Sequence, residues 1–408
     1  MTDDGRNWAR NLSYSAPVRH PDSVEALQEA VAGAGHAHAL GTRHSFSPCA
    51  DTDGLLVALD RIAPDLQIDA EGGTATVGSA IRLGDLGRLL EEHGLAIANL
   101  PSLPHISLGG AVATATHGSG DGLGMLATFV RALEVVGPGG ALCRYSGAEL
   151  AGAVLSYGAL GIVTRITLDT VPAFSVRQDS FDAMPWRSVE DHLDEIFSAG
   201  YSVSLFTRWT EDVQGALVKS TDPAGHPGDL VGAAPTAVDV AEIGADTKHT
   251  PIGDVGPSWD RLPHFRLAAV PSVGEELQSE YFVPRANAQA ALAALRGLGA
   301  DIDRALHVSE LRTVAADDQW LSPAAGTAVL AIGFTWRDAP ELVHPLLPRI
   351  EERLLPLGAR PHMAKLFHAR AAELRERYEG WADFAALRDR VDPDRVFGNA
   401  FLTTVLGA

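Results

Sequence analysis

One glycine-rich run constrains the fold of this chain more than any other feature. Residues 99–120, NLPSLPHISLGGAVATATHGSG, contain almost no large side chain and alternate between polar and small residues. Such a segment packs poorly by itself, but it lets backbone and hydroxyl groups approach a ligand closely. A glycine-rich hairpin would explain part of the run. It would not explain the polar side chains spread along it, which are Ser102, Ser107, Thr114, Thr116 and His117.

A second loop, ALGTRHSFSPCADTDG (residues 39–54), is also rich in small and polar residues. A predicted strand ends at Leu40, and Gly41 allows a tight turn after it. The backbone amides of residues 42–45 can then point into one concavity, which is a nest suited to a pyrophosphate. His44 lies inside this loop, where its ring can face a bound cofactor. The alternative is an ordinary surface turn with an incidental histidine.

Hydrophobic patterning predicts an α+β fold. Before Pro172, short strands at 55–60, 75–80, 132–138 and 161–171 alternate with helices at 23–34 and 81–94. Beyond Pro172 the composition changes, and six of the seven tryptophans lie there. There we expect an antiparallel sheet with helices on one face and a long loop at 221–260. The predicted elements are strands at 276–284, 307–314 and 327–336, helices at 286–299 and 340–355, and one helix after 370.

Charge and cysteine content exclude several classes of protein. The 408 residues carry a formal charge of −20 and a sequence pI of about 5.1, which argues against nucleic acid or an anionic membrane as the main partner. Two cysteines in so long a chain indicate a reducing compartment rather than a disulfide scaffold. The polar start lacks a signal-peptide core, and no run of about 18 apolar residues occurs. These features predict a cytoplasmic protein.

Standard catalytic and cofactor signatures do not occur. The chain has no G-x-x-x-x-G-K-[ST], H-E-x-x-H, G-x-S-x-G or C-x-x-C sequence. The run GSGDGLG (118–124) lacks the order of a Rossmann fingerprint. His36 and His38 alternate on a strand and could ligate a metal, but no third ligand follows at a suitable spacing. The sequence therefore predicts no metal site.

The chain nevertheless resembles one flavoprotein family throughout its length. GTRHSFS (41–47), PSLPHISLGGAVATATHGSG (101–120) and SYGALGIVTRITL (156–168) resemble the flavin-binding domain of the vanillyl-alcohol-oxidase superfamily. Within it the chain is most similar to bacterial alditol oxidases, including xylitol and sorbitol oxidases, and less similar to aldonolactone oxidases. The resemblance continues in order through YSVSLFTRW (201–209), LQSEYFVPR (277–285) and RPHMAK (360–365) to FGNAF (397–401).

The resemblance implies a two-domain flavoprotein oxidase fold. Residues 1–172 would form an FAD-binding domain of two α/β subdomains, and residues 173–370 an antiparallel-sheet substrate-binding cap domain. Residues 371–408 would return to the FAD domain. A monomer is expected, with a small polyol and dioxygen as its partners.

The resemblance also implies roles for individual residues. FAD would bind with its pyrophosphate against Gly41, Thr42, Arg43, His44 and Ser45, and His44 would bond covalently to the 8α-methyl group of the flavin. Further cofactor contacts fall on Ser102, Ser107, Gly110, Thr114, Ala115, Thr116, His117 and the backbone of Val163. Substrate would be bound by Ser102, Glu310, Arg312, Thr335 and Lys365, of which Glu310, Arg312 and Lys365 would be catalytic.

The residue types suit alcohol oxidation. Glu310 and Arg312 are at i and i+2 of a strand and so share one face. Arg312 and Lys365 could hold positive charge beside the flavin and the reacting oxygen, where a cation stabilises developing negative charge. The alternative is that Glu310 and Arg312 form only a solvated charge pair.

Two departures from the family pattern concern the substrate. Gly333 stands where alditol oxidases commonly have a histidine, and Met363–Ala364 replaces a Trp-Gly pair. Met363 is the side chain that could fill the space left by the missing imidazole. The implied activity is oxidation of a polyol CH–OH group to an aldehyde with reduction of dioxygen to hydrogen peroxide. The alternatives are an aldonolactone oxidase or dehydrogenase of the same fold, and a flavin-binding protein without turnover.

Overall fold

The structure is a computed structural model that describes residues 5–226, 228–236, 248–269 and 274–407. The strands are β1 (Val18–Arg19), β2 (Ala37–Ala39), β3 (Leu55–Val57), β4 (Gln67–Asp69), β5 (Thr74–Gly78), β6 (Leu95–Ala96), β7 (Val130–Val136), β8 (Leu142–Ser146), β9 (Ile162–Asp169), β10 (Val171–Pro172), β11 (Ser175–Phe181), β12 (Met184–Pro185), β13 (Ser202–Thr207), β14 (Asp212–Ser220), β15 (Val255–Pro257), β16 (Glu276–Pro284), β17 (Leu306–Val314), β18 (Val329–Arg337) and β19 (Arg360–Pro361). The helices are α1 (Val24–Ala32), α2 (Leu83–Glu91), α3 (Leu108–Ala113), α4 (Leu150–Ala153), α5 (Trp186–Asp191), α6 (Leu193–Phe197), α7 (Ser258–Arg261), α8 (Ala288–Arg296), α9 (Gly299–Ala305), α10 (Pro340–Val343), α11 (Leu346–Leu354), α12 (Ala371–Arg375), α13 (Trp381–Val391) and α14 (Ala400–Leu406).

The first part of the chain forms two main sheets. β1, β3 and β2 make a small parallel sheet, and β4-β5-β9-β7-β8 make an antiparallel one. α1 begins at Ser23, whose side chain accepts a hydrogen bond from the amide of Ala26, and it buries Leu27 and Val31. The carboxyl end of β2 leads directly into the loop at 41–45, so this small sheet fixes where that loop starts.

The second part is dominated by one large antiparallel sheet. Its order is β15-β11-β14-β13-β17-β18-β16-β19, with β12 paired to β14. Alternate residues of the central strands, such as Leu277, Leu311 and Ile332, pack into a hydrophobic core that includes residues of α8 and α11. Glu280, Gly333 and Glu310 lie directly opposite one another on β16, β18 and β17. Because side chains alternate along a strand, this row points away from that core.

The structure confirms the α+β class and corrects some elements. β16 covers the predicted 276–284, and the predicted helix at 340–355 is divided into α10 and α11 near Pro345. The prediction of one helix after 370 is wrong, because α12, α13 and α14 all lie there. β15 and α7 interrupt the predicted long loop, of which residues 227 and 237–247 lie outside the described residues. β11, β13 and β14 had not been predicted.

The last helix packs back on the beginning of the chain. The side chain of Asn399 donates hydrogen bonds to the carbonyl oxygens of Cys49 (3.0 Å) and Asp51 (2.9 Å). It also accepts one from the amide of Leu402 and so caps α14. None of the helices in the described ranges has both the length and the apolar character needed to span a bilayer.

Candidate active site

A cavity of about 1690 Å³ separates the glycine-rich segments from the polar face of the large sheet. Its volume exceeds the roughly 300–1,000 Å³ of an ordinary small-molecule site, so a large cofactor and a substrate can share it. It brings together the predicted residues with one exception: the lining includes Gly41, Thr42, Arg43, His44, Ser45, Ser102, Ser107, Gly110, Thr114, Thr116, His117, Val163, Glu310, Arg312, Thr335 and Lys365. Ala115 is the exception, since its side chain packs in the hydrophobic core with its backbone at a φ of 58°.

The loop at 41–45 forms a cradle that packs closely against Ser107 at its first position. A Cβ on Gly41 would lie 2.5 Å from Ser107 Oγ. Thr42 Oγ1 accepts a hydrogen bond from the amide of Ser107 (3.2 Å) and joins the loop to α3. Arg43 has a left-handed φ of 65°. The amides of Thr42, His44 and Ser45 donate no hydrogen bond to any acceptor in the described part of the chain. The cradle therefore fits an anionic group such as a pyrophosphate.

His44 is held in place by the start of the chain. Its ring stacks on Trp8, with centroids 5.4 Å apart, and its Nδ1 lies 3.1 Å from Thr42 Oγ1. The amide of Trp8 donates to the carbonyl of Arg43 (2.8 Å). Burial, and next the electrostatic interaction with His105, lower the pKa of His44 to about 4. The imidazole is therefore neutral near pH 7 and keeps an unshared electron pair on one nitrogen.

Three groups converge on the carboxylate of Glu280. It accepts a hydrogen bond from Arg312 Nη2 (2.8 Å) and forms an ion pair with Lys365 Nζ (2.9 Å), and His117 Nε2 lies 3.2 Å away. The Glu280 side chain is only 1% exposed. Burial acts to raise its pKa, but the interactions of the carboxylate with Lys365, His117 and Arg312 outweigh burial and hold the pKa well below the ordinary value. Glu280 is thus a buried anion shared by both predicted catalytic cations.

Glu310 belongs to the same cluster on the neighbouring strand. Its Oε1 lies 2.7 Å from His264 Nε2, and its Oε2 lies 3.7 Å from Arg312 Nε. Burial acts to raise the pKa of Glu310, but Arg312 and His264 lower it well below the ordinary value. The side chains of Glu310 and Arg312 are 18% and 9% exposed. The alternative of a solvated charge pair is therefore wrong.

Other residues predicted to contact the substrate surround this cluster. Ser102 Oγ accepts a hydrogen bond from Arg312 Nη1 (3.4 Å), and Thr335 lines the cavity two residues beyond Gly333. A Cβ on Gly333 would lie 3.4 Å from Glu280 Oε1 and 3.5 Å from the carbonyl oxygen of Glu310. Met363 is fully buried in the hydrophobic core and does not line the cavity. Thus no side chain from position 363 fills the space beside Gly333.

Sequence reasoning missed three residues that organise the site. Glu280 lies in a strand whose register to its neighbours is not written in the sequence, and His264 comes from a loop in the RLPHFR motif (261–266). Lys219 is buried below that loop and donates to the carbonyl oxygens of Arg261 (2.7 Å), Leu262 (2.6 Å) and Pro263 (2.9 Å). Burial lowers the pKa of Lys219 to about 7. The available signal was a charged residue next to a short apolar run: Glu280 precedes Tyr281 and Phe282, and Lys219 follows Leu217 and Val218.

We expect Lys219→Met to destabilise the fold and loosen the His264 loop. The change leaves the carbonyl oxygens of Arg261 and Leu262 without a donor, whereas that of Pro263 still accepts from Thr250 Oγ1 (2.5 Å). Each unsatisfied buried group costs roughly 1–3 kcal/mol, so urea unfolding should show a loss of at least about 2 kcal/mol. Arg304→Met, which removes an exposed cation, is the control and should change stability by less than about 0.5 kcal/mol. Equal stability of both variants would show that Lys219 does not hold the loop of His264 in place.

No group of three or more His, Cys, Asp or Glu residues in the described ranges is arranged to hold a metal ion.

Comparison with known proteins identifies the cofactor class. The FAD binding domain family matches residues 15–146, and the D-arabinono-1,4-lactone oxidase family matches residues 274–405. The solved cholesterol oxidase from B. sterolicum covers 98% of this chain and 96% of its own with a TM-score of 0.77 at 16% identity, which shows a common fold. The fold and these matches define an FAD-dependent oxidoreductase of the vanillyl-alcohol-oxidase superfamily.

Comparison with related sequences assigns the chain to one family within this superfamily. An alditol oxidase from Streptomyces sp. is 42% identical over 98% of both chains. An L-gulono-1,4-lactone dehydrogenase from Mycobacterium tuberculosis is 29% identical, again over 98% of both. The chain belongs to the alditol oxidase family.

Proposed function

We propose that this protein oxidises the CH–OH group of a polyol to an aldehyde, using FAD, and that dioxygen accepts the electrons to give hydrogen peroxide. The observation that carries the proposal is the convergence of Ser102, Glu310, Arg312, Thr335 and Lys365 on the cavity that also contains the residue 41–45 cradle. Hydroxyl-binding groups and cations thus face a space large enough for cofactor and substrate together. The similarity to an alditol oxidase supports the choice of polyol.

The cofactor would be held by the glycine-rich segments. The cradle at 41–45 would take the pyrophosphate, and Ser107, Gly110, Thr114, Thr116 and His117 would line the rest of its site. The predicted contact at Val163 would be limited to its backbone amide and side chain, because its carbonyl already accepts a hydrogen bond from Ser79 Oγ (2.6 Å). His44, neutral and stacked on Trp8, would be the point of covalent attachment.

The residues of the large sheet would act on the substrate. Bound FAD would supply the hydride acceptor and the route for electrons to dioxygen. Glu310, kept ionised by Arg312 and His264, would accept hydrogen bonds from substrate hydroxyls. Ser102 and Thr335 would add neutral partners and fix the orientation of the polyol chain. Lys365 and Arg312 would stabilise negative charge on the reacting oxygen as its proton departs.

The competing activity is oxidation of an aldonolactone. Its support is the match of residues 274–405 to the D-arabinono-1,4-lactone oxidase family. A lactone has fewer free hydroxyls and a ring carbonyl, so Glu310 would then have fewer donors to accept from. The lactone relatives are also less similar to this chain than the alditol oxidase is. The two buried carboxylates therefore favour a substrate rich in hydroxyl groups.

The test is peroxide release from the purified protein with a panel of polyols, sugars and aldonolactones. An artificial electron acceptor is run in parallel. We expect peroxide with polyols above that with lactones. Preference for lactones would favour the competing activity, and turnover with the artificial acceptor alone would make the protein a dehydrogenase. Absence of turnover with every compound, in protein that contains flavin, would support a binding protein without catalysis.

The proposal includes a cytoplasmic monomer. Cys49 is buried and Cys143 is exposed, and both are free thiols. Free thiols of this kind suit a reducing compartment.

We expect Gly333 to widen the range of substrates. A side chain at this position would project between Glu280 and Glu310, whereas glycine leaves that space to the substrate. Gly333→His should restore discrimination of about 1–3 kcal/mol against substrates that lack a matching hydroxyl. The kcat/KM ratio of xylitol to a simple 1,2-diol should rise accordingly. Gly333→Ala is the control for added bulk without a hydrogen-bonding group, and an unchanged ratio in the histidine variant would exclude the role.

A further inference from the structure

The backbone of the loop at 261–266 fixes His264 beside the active site. The amide of His264 donates to the carbonyl oxygen of Ser102 (3.0 Å), and its own carbonyl oxygen accepts from the amide of Thr250 (2.9 Å). Lys219, in β14, anchors the residues that precede it. The glycine-rich run therefore holds this loop on one side and the large sheet holds it on the other, so the imidazole projects from a fixed backbone.

The imidazole of His264 donates to Glu310 as a neutral ring. Its Nε2 lies 2.7 Å from Glu310 Oε1, and an ionised carboxylate can only accept, so Nε2 carries the proton. Burial lowers the pKa of His264, so the ring has no second proton near pH 7. Its Nδ1 is buried and has no hydrogen-bond partner in the described part of the chain. A proton on Nδ1 would be a buried donor without an acceptor, which agrees with the neutral ring.

A competing partner for Glu310 lies close by on the same strand. Arg312 Nε is buried and has no acceptor among the described residues. Glu310 Oε2 lies 3.7 Å from it, which is too far for a hydrogen bond. Because the two side chains share one face of β17, a rotation of the carboxylate would close that gap. The bond from His264 to Oε1 holds the carboxylate back from Arg312.

We propose that His264 is a positioning residue for the proposed oxidation, and that its bond to Glu310 sets the preference for substrates rich in hydroxyl groups. The inference rests on the proposed function, in which Glu310 accepts hydrogen bonds from substrate hydroxyls. A carboxylate has about four acceptor sites, so Glu310 can bond to His264 and to substrate together. Without His264 the carboxylate turns to Arg312, and hydroxyls beyond the reacting one lose their acceptor.

The test compares His264→Leu with His264→Gln. Leucine removes the donor, whereas the glutamine amide carries an N–H at a similar distance from the backbone. Both variants keep the backbone amide that donates to Ser102. Anaerobic stopped-flow reduction of the holoprotein gives second-order rate constants with xylitol and with 1-pentanol, which has only the reacting hydroxyl. In His264→Leu the ratio of xylitol to 1-pentanol should fall by about 10- to 100-fold, the size expected for a hydrogen bond to a charged group. His264→Gln should restore most of it.

His192→Leu is the matched control for this measurement. His192 also pairs with a glutamate, because its Nδ1 lies 2.9 Å from Glu195 Oε2, but this pair is exposed and does not line the cavity. The control should keep the wild-type ratio. An equal loss of rate with both alcohols in His264→Leu would mean a merely structural role and would overturn the inference. An unchanged ratio in that variant would also overturn it.

A spectrum of the resting protein tests the hydrogen bond without turnover. With ring-¹⁵N-labelled histidine, the signals that disappear in His264→Gln belong to His264. Near neutral pH we expect a neutral ring with its proton on Nε2. A proton on Nδ1 alone would overturn the inference, because Nε2 could then not donate to Glu310. A wild-type protein that shows the expected ring but oxidises no polyol would contradict only the proposed function.

Discussion

Lys365→Met is expected to slow flavin reduction by a factor of about 10²–10³. Methionine keeps much of the side-chain length but removes the ammonium group that lies 2.9 Å from Glu280 Oε2. The site then loses a preorganised positive charge, and loss of one such group typically has an effect of this size. Stopped-flow reduction of the bound flavin by a polyol measures it directly. Glu280 keeps Arg312 and His117 as partners, so the fold should persist.

The control for this prediction is Lys365→Arg, which retains the charge with a different shape. It should reduce faster than the methionine variant at every pH. Reduction at the wild-type rate in Lys365→Met would exclude the electrostatic role. A fall in affinity with an unchanged limiting rate would mean that Lys365 binds substrate and transition state equally.

His44→Ala is expected to abolish covalent flavin attachment completely. His44 combines a position inside the 41–45 cradle with a neutral imidazole, because burial lowers its pKa to about 4. After acid precipitation, flavin absorbance should remain with the wild-type polypeptide and be absent from the variant. Non-covalent FAD can still bind to the variant, since the cradle and the glycine-rich run are unchanged.

His20→Ala is the matched control for attachment. His20 also lines the cavity, but its Nδ1 pairs with Asp60 at 2.6 Å. This variant should retain acid-stable flavin. Acid-stable flavin in His44→Ala would show that another residue forms the bond, and its absence from the wild type would remove the covalent part of the proposal.

The sequence predicted the secondary structure correctly where it depends on local residue patterns. Alternation along β16 and β17 predicted both strands and placed Glu310 beside Arg312 on one face, because the strand period is two. β13 was missed, since it is buried on both faces and gives no alternation. Of the three helices after 370, α12 and α14 have only five and seven residues and are too short for a clear helical period.

The candidate site was also predictable only where it depends on local sequence. The sequence predicted a glycine-rich loop with His44 and a run of small and hydroxyl residues, and the family resemblance added Glu310, Arg312 and Lys365 as charges. The tertiary structure places Glu280 opposite Gly333 and Glu310, because strand register results from pairing between segments far apart in the chain. It also decided that Trp8 stacks on His44 and that Lys219 fixes the loop of His264. Burial next to charged partners has no local sequence signal, and it places both cations, Arg312 and Lys365, against the buried carboxylate of Glu280.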